Sequence, residues 1–394
     1  MARKKTRSEE YAGGFPPGME AFENLPDPRD GRAKRHYFGE VLFIALAAMV
    51  CGMDDFEDFE RFAQMREKWL CERLRLPGGL PSDDTFRRIL TALDPERFNQ
   101  CFIEFSAALS ERLGRELVAI DGKTLRGSFQ ESDKSDALHL ISAWAAGSGL
   151  TLGQLLVDSK SNEITAVPKL LRQLDVKGCV VSLDALGCQK RIAIAIRHAE
   201  ADYLLALKGN RAVLHEEVRS LFGDPEALER TRLDGHVVSH SSDFDKGHGR
   251  TEERHLTVTD HLGWIDEDER RSWLDLRSVV HLHSVRHLSD GTTTRQERYY
   301  LTSLPPDAGL LLRLTRTHWS IENQCHWVMD VVYGEDASRV RMGHAARNLS
   351  LLRRLSHNLL KNDTSVRDSI AGKRKRACLC TDTLETFLKL SPPK

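Results

Sequence analysis

Hydrophobic positions divide this chain into a first part with helical spacing and a second part in which short apolar runs alternate with helical stretches. Residues 1–30 are rich in Gly, Pro and charge and read as a flexible basic N-terminus. Residues 37–53 read as an apolar helix. An acidic and aromatic run, 54–60, leads into a second helix, and Leu76-Pro-Gly-Gly-Leu-Pro81 is a turn. Ser82 suits the cap of a short helix over 83–93 that carries Arg87 and Arg88, and Pro95 suits the first turn of another reaching about Leu113. Together these predict a helical domain over 31–113. A short helix after a Gly-rich turn is the shape of a DNA-reading unit and equally of a plain packing domain.

From Glu116 the pattern changes. Residues 117–120, 139–144 and 151–157 read as strands, with a hairpin turn at Gly147 to Gly149, and so predict an antiparallel meander. A helix over 167–174, a strand over 179–183, a helix over 189–198, a strand over 202–207 and a helix from Arg211 follow. The order βββαβαβα predicts an α/β fold with a ribonuclease-H-like core, a mixed sheet flanked by helices, over 114–232 and 304–360. Residues 233–303 break the rhythm with strand-like runs at 255–259, 278–285 and 292–301 and turns such as Ser289-Asp-Gly291, which predicts a β-rich insertion. Residues 361–394 read as a basic tail, and no internal repeat is apparent.

At 394 residues, with 40% hydrophobic and 29% charged positions, the chain has the composition of a soluble globular protein of two or three domains, too long for a lone binding module. Its eight cysteines include no CxxC pair, which points to a reducing cytoplasm without structural zinc. The longest apolar run, 41–53, falls short of the ~20 residues that span a bilayer, so no membrane or targeting segment is expected. The net charge of −1 excludes no partner. Residues 339–376 hold 11 Lys/Arg against 2 Asp/Glu, either a solvated helix face or a surface that neutralises phosphates.

Three acidic residues carry the candidate chemistry. Asp121 and Asp184 each end a short apolar run and precede small residues, so each should emerge where a strand gives way to a loop. Singly, such a residue is also an ordinary turn former or helix cap. Glu322 lies in the densest aromatic and polar stretch, Arg316 to Asp330. At 100° per residue Trp319, Glu322, Asn323, His326 and Asp330 share one helix face, with Ile321, Cys325, Val328 and Val332 opposite. A polar network around a core Trp319 would give the same pattern. A zinc site from His318 and His326 fits less well, since the two are eight apart and diverge around the helix. Three carboxylates drawn to ~4 Å repel by about 4 kcal/mol per pair at an effective dielectric of ~20. Divalent cations relieve that repulsion, hard oxygen ligands select magnesium or manganese, and two ions ~3.5–4 Å apart suit phosphodiester cutting.

Six ordered blocks carry a resemblance: Ile120-Asp-Gly-Lys-Thr-Leu-Arg-Gly127, Asn162-Glu-Ile-Thr-Ala166, Asp184-Ala-Leu-Gly-Cys-Gln189, Tyr203-Leu-Leu-Ala-Leu-Lys-Gly-Asn210, His248-Gly-Arg-Thr-Glu252 and the run from His318 to Val331. Over roughly 20–360 the chain resembles the DDE transposases of the ISAs type, also called H-repeat-associated proteins. The resemblance implies a ribonuclease-H-like core whose acidic triad is Asp121, Asp184 and Glu322. It also implies Mg2+, with Mn2+ substituting. The implied partners are double-stranded DNA, as terminal inverted repeats and target, and a second copy of the chain on DNA. The implied activity is cleavage of insertion-sequence ends and their joining to target. A nuclease without joining activity and a domesticated, non-catalytic DNA-binding protein are the alternatives. The Tyr-x2-Arg-x3-Glu-x6-Lys signature of the wider cut-and-paste group is not met, because Thr315, His318 and Met329 occupy its other positions around Glu322. Candidate DNA contacts are Lys123, Lys208, Arg250, Arg316, Trp319 and His326, with Trp327 a second candidate for base stacking and His248 and Glu252 either DNA contacts or braces.

Overall fold

The computed structural model describes residues 19–30, 34–110, 116–128, 137–157, 163–247 and 249–390. Residues 1–18 of the basic N-terminus, Asn162 and His248 lie outside the described residues. Helices α1 (Phe38–Val50), α2 (Phe56–Met65), α3 (Glu67–Arg73), α4 (Asp83–Ala92) and α5 (Pro95–Leu109) come first. Local chemistry starts them: Asp55 accepts the Asp58 N–H ahead of α2, and Asp94 accepts those of Glu96 and Arg97 beside Pro95. Every residue of α1 is buried. Its one charged side chain, Glu40, accepts the backbone N–H groups of Arg75 and Leu76 at 2.7 and 3.1 Å, which offsets the cost of burial.

The second part runs β1 (Leu117–Thr124), β2 (His139–Ala145), β3 (Leu150–Val157), α6 (Glu163–Leu171), β4 (Val180–Leu183), α7 (Lys190–His198), β5 (Asp202–Leu207), α8 (Ala212–Gly223) and α9 (Pro225–Leu233). Strands β6 (Val238–Gly247) and β7 (Arg250–Thr259), helix α10 (Glu267–Ser272) and strands β8 (Ser278–Leu288) and β9 (Thr293–Thr302) follow. The last elements are α11 (Ala308–His318), α12 (Trp327–Val331), α13 (Ala345–Asn362), α14 (Ile370–Leu379) and α15 (Thr381–Phe387).

All nine strands form one sheet in the order β3-β2-β1-β4-β5-β9-β8-β7-β6. Strands β1, β4 and β5 are parallel and β2 and β3 antiparallel, the mixed ribonuclease-H-like arrangement that the strand and helix order predicts. Gly149, at φ +70°, supplies the left-handed residue of the β2–β3 hairpin. One sheet face packs Val118, Ile120, Val181 and Leu183 against α6 and α7, and the other packs Leu117 and Val180 against α11.

Residues 233–303 hold four strands where three were expected. Strand β6 is polar on both faces because it forms the sheet edge, so its sequence shows no apolar alternation. These strands continue the core sheet, since β9 pairs with β5 from Leu204↔Thr302 to Leu207↔Tyr299.

The stretch read as a basic tail is folded where it is described. Ala377, Leu384 and Phe387 of α14 and α15 are fully buried in the core of the N-terminal helices. Helix α13 lies between those helices and the sheet. Asn348 donates to the carbonyls of Leu90 and Leu93, both at 2.8 Å, and Asn358 donates to Thr151 O at 2.8 Å and Ser106 Oγ at 3.0 Å. Arg353, Arg354, Lys373 and Arg374 are buried, so these four of the 11 cations between 339 and 376 are structural and not part of a DNA-facing surface. No described helix is long and apolar enough to cross a membrane.

Candidate active site

Register places the two aspartates. The parallel pairing of β1 with β4 ends at Ile120↔Leu183, so Asp121 and Asp184 occupy the next position on adjacent strands. Strand β1 does not end there, contrary to the expectation of a loop at Asp121. It continues to Thr124 against β2, with Asp121 opposite Ser142. Alternation puts Ala119, Asp121 and Lys123 on one face and Gly122 on the other. Asp184 turns the chain: its carboxylate accepts the N–H groups of Leu186 and Gly187 at 3.0 and 3.4 Å, capping a short 3-10 turn, and it is exposed.

Glu322 arrives on a π-helical turn, Ile321–His326, between α11 and α12. A π turn takes up more residues than an α turn and is often found at functional sites. Ile321 and Cys325 pack on Ala119 and Trp144, Trp144 Nε1 donates to Ser320 Oγ at 3.1 Å, and the Cys325 thiol lies 3.6 Å from Thr151 Oγ1. These contacts bring the turn down onto β1, β2 and β3. Glu322 stays exposed while His326, expected on the open face, is 5% exposed.

Ligand-capable atoms of Asp121, Glu322 and His326 all lie within 4.8 Å of one another. His326 Nδ1 is 3.5 Å from Asp121 Oδ2 and 3.4 Å from Glu322 Oε2. His326 is therefore part of the carboxylate cluster and not a surface DNA contact. Asp184 stands outside this tight group, although its charge is felt at Asp121. Burial, then the negative charge of Glu322, pushes the Asp121 carboxyl up to about 8. Glu322 is held below the ordinary value, chiefly by its hydrogen bond with His326. Two carboxylates with an imidazole nitrogen, their ligand-capable atoms within 4.8 Å of one another, fit a divalent cation.

The remaining candidates scatter. Lys123 is 8% exposed and bonds Asp330 and Glu335, so it is not a free phosphate ligand. Arg316 spends its guanidinium on Asp243 and Asp245 of β6, the latter at 2.9 Å, fastening the sheet edge to α11 rather than offering a free charge. Lys208 is exposed beside the Asp184 turn, to which Asn210 is joined by a 2.6 Å bond to Ala185 O. Arg250 is exposed at the head of β7. Trp319 is exposed with the Arg298 guanidinium 4.6 Å over its ring, and Trp327 is exposed. Glu252 is buried between Arg254 and Arg286, a brace inside the sheet. His318 is bonded to Ser182 Oγ at 2.7 Å and held down to about 4 by burial and then by the Arg298 charge.

Sequence reasoning overlooked Glu335, Arg354, His139 and Glu163. Glu335 is fully buried, and Arg354 donates to it at 2.7 Å. Burial alone would raise its carboxyl, but Arg354 and then Lys123 hold it far below the ordinary range. His139 Nε2 meets Glu163 Oε1 at 2.5 Å across Gly122, where a Cβ would lie 2.6 Å from each atom. The one available signal was Glu163 inside a quoted block.

Residues 112–359 match the family described as Transposase DDE domain, and residues 19–106 match the domain associated with it. The Escherichia coli O157:H7 protein named "Putative transposase YncI" is 35% identical over 366 residues, covering 92% of each chain. The Escherichia coli K12 protein named "H repeat-associated putative transposase YhhI" is 33% identical over 375 residues, 94% of this chain and 97% of that one. The chain is a member of the DDE transposase family, in its H-repeat-associated group.

Proposed function

We propose that the chain cleaves the ends of its own insertion sequence and joins them to target DNA, with Asp121, Asp184 and Glu322 holding Mg2+, or Mn2+ in its place. The observation that carries this reading is the meeting of Asp121 with Glu322 and His326, 4.8 Å across, beside the strand end that carries Asp184. Bound divalent ions supply Lewis acidity for the attacking and leaving oxygens of an in-line displacement. Asp121 and Glu322 present their oxygens from a rigid strand and a packed helical turn, which keeps the donors preorganised. Asp184 joins them from the rim once it turns from its capping bonds. Lys208, exposed beside the Asp184 turn, would meet a backbone phosphate, and the exposed Trp319 would stack on an unpaired base. Cleavage and joining are both displacements at phosphorus, so one site serves both. Pairing two ends favours two copies on DNA.

The test is an end-bearing DNA duplex incubated with a plasmid target and Mg2+ or Mn2+. Joined product in the parent chain, with cutting lost but DNA binding kept in Asp121→Asn and Glu322→Gln, supports the reading. Cut ends without joined product would make the chain a nuclease, and binding without cutting a domesticated DNA-binding protein. Asp121→Asn that cuts as well as the parent would refute the site.

A further inference from the structure

Lys123 and Asp121 are two residues apart on β1 and share a face. Asp330 lies two helical turns beyond Glu322 on the segment running through the π turn into α12. The Lys123 ammonium joins the two elements: it bonds the Asp330 carboxylate and lies 3.2 Å from Glu335 Oε2. Glu335 is in turn fixed by Arg354 Nη1 at 2.7 Å and Ser350 Oγ at 2.9 Å, both from α13. The strand that carries Asp121 is therefore pinned to the helix that carries Glu322, and both are pinned to a helix buried nearly all round.

We propose that Lys123 is a positioning residue for the metal site, a buried clamp that sets the spacing between Asp121 and Glu322. The inference rests on the metal-dependent reading above. A phosphate-binding lysine would leave its ammonium in solvent, whereas this one is 8% exposed and already meets two carboxylates.

Clamp and charge have opposite consequences for cation binding. As a bare positive charge near the site, Lys123 repels a divalent ion, and its removal would tighten binding. As a clamp, its removal lets the two carboxylates drift apart and weakens binding; loss of such supporting partners costs roughly 10–100-fold in metal affinity.

Mn2+ binding to the full chain, followed by the electron paramagnetic resonance of the free ion, separates the two. Lys123→Met is expected to bind Mn2+ roughly tenfold more weakly than the parent. The double variant Lys123→Met, Asp330→Leu removes one charge of each sign and leaves no new buried charge unpaired, so it should fold even where the single variant does not. Charge alone leaves its affinity unchanged, and the clamp lowers it by the same factor. Parental or tighter affinity in either variant overturns the proposal. A parent chain that binds no Mn2+, or an Asp121→Asn variant that binds it as well as the parent, instead refutes the metal site on which the clamp depends.

Discussion

His326 holds its Nδ1 3.4 Å from Glu322 and 3.5 Å from Asp121, so one imidazole edge faces two carboxylates that arrive from opposite parts of the chain. Removing it takes away the imidazole that both acids face. His326→Ala is expected to slow single-turnover cleavage of an end-bearing duplex by roughly 10–100-fold, the usual effect of losing a group that orients metal ligands. DNA affinity should not change, because the ring is buried. Cleavage at the parental rate would reduce His326 to a packing residue.

Lys208 and Arg316 separate free from committed charge. The exposed Lys208 is expected to neutralise a phosphate, so Lys208→Ala should lower the slope of log affinity against log salt by about 1. Arg316 is already neutralised by Asp243 and Asp245. Arg316→Ala should leave that slope alone and lower stability by about 0.5–1 kcal/mol, a small figure because the pair is partly solvated. Fluorescence anisotropy across a salt series and a urea titration read the two effects. A drop in slope for Arg316→Ala would mean that DNA displaces the aspartates.

The chain displayed the two strands that carry Asp121 and Asp184 plainly, because a short apolar run closed by an acid is a local pattern: 117–121 and 180–184 read the same way, although β1 runs on to Thr124. The pairing of Ile120 with Leu183 then follows from parallel topology. What stayed hidden depends on distant partners. Lys123 and Asp330 are separated by 207 positions, and nothing local distinguishes a lysine that will be buried from one that will meet phosphate. His326 lies beside Glu322, as four-residue spacing on one face predicts, but its burial against Asp121 depends on how the turn seats on β1, which nothing local shows. The basic count over 339–376 misled for a related reason: Arg354, Lys373 and Arg374 are satisfied by Glu335, by the carbonyls of Leu360 and Asp363, and by Asp54 and the Met49 carbonyl.

Acid should unfold the protein partly through His357. Burial in α13 keeps this ring from taking a proton until about 3, against 6.5 in the unfolded chain. Between those values the unfolded chain binds a proton that the folded chain does not, so its contribution is whole above 6.5 and is lost as pH falls. The loss approaches about 1.4 kcal/mol per pH unit. Urea midpoints are expected to fall as buffers are taken below pH 6.5, and His357→Gln should flatten that fall by one proton. Equal slopes in parent and variant would show that His357 does not contribute.

Gly122 carries a tight steric demand beside Asp121. An added Cβ would stand 2.6 Å from both Glu163 Oε1 and His139 Nε2. Those atoms are bonded to each other at 2.5 Å, and the far side of the ring meets Thr124 Oγ1 at 3.0 Å, so neither gives way cheaply. Gly122→Ala is expected to cost about 1–3 kcal/mol, as overpacking does. The displaced strand should also slow cleavage, since Asp121 is the preceding residue. Gly223→Ala, where nothing lies within 4 Å, should cost nothing and serves as the comparison. If crowding by Glu163 is the cause, Glu163→Ala will recover part of the loss in the double variant, a non-additivity expected only of groups in contact. Strict additivity in urea midpoints and cleavage rates would assign the effect of Gly122→Ala to the strand backbone and not to the His139–Glu163 pair.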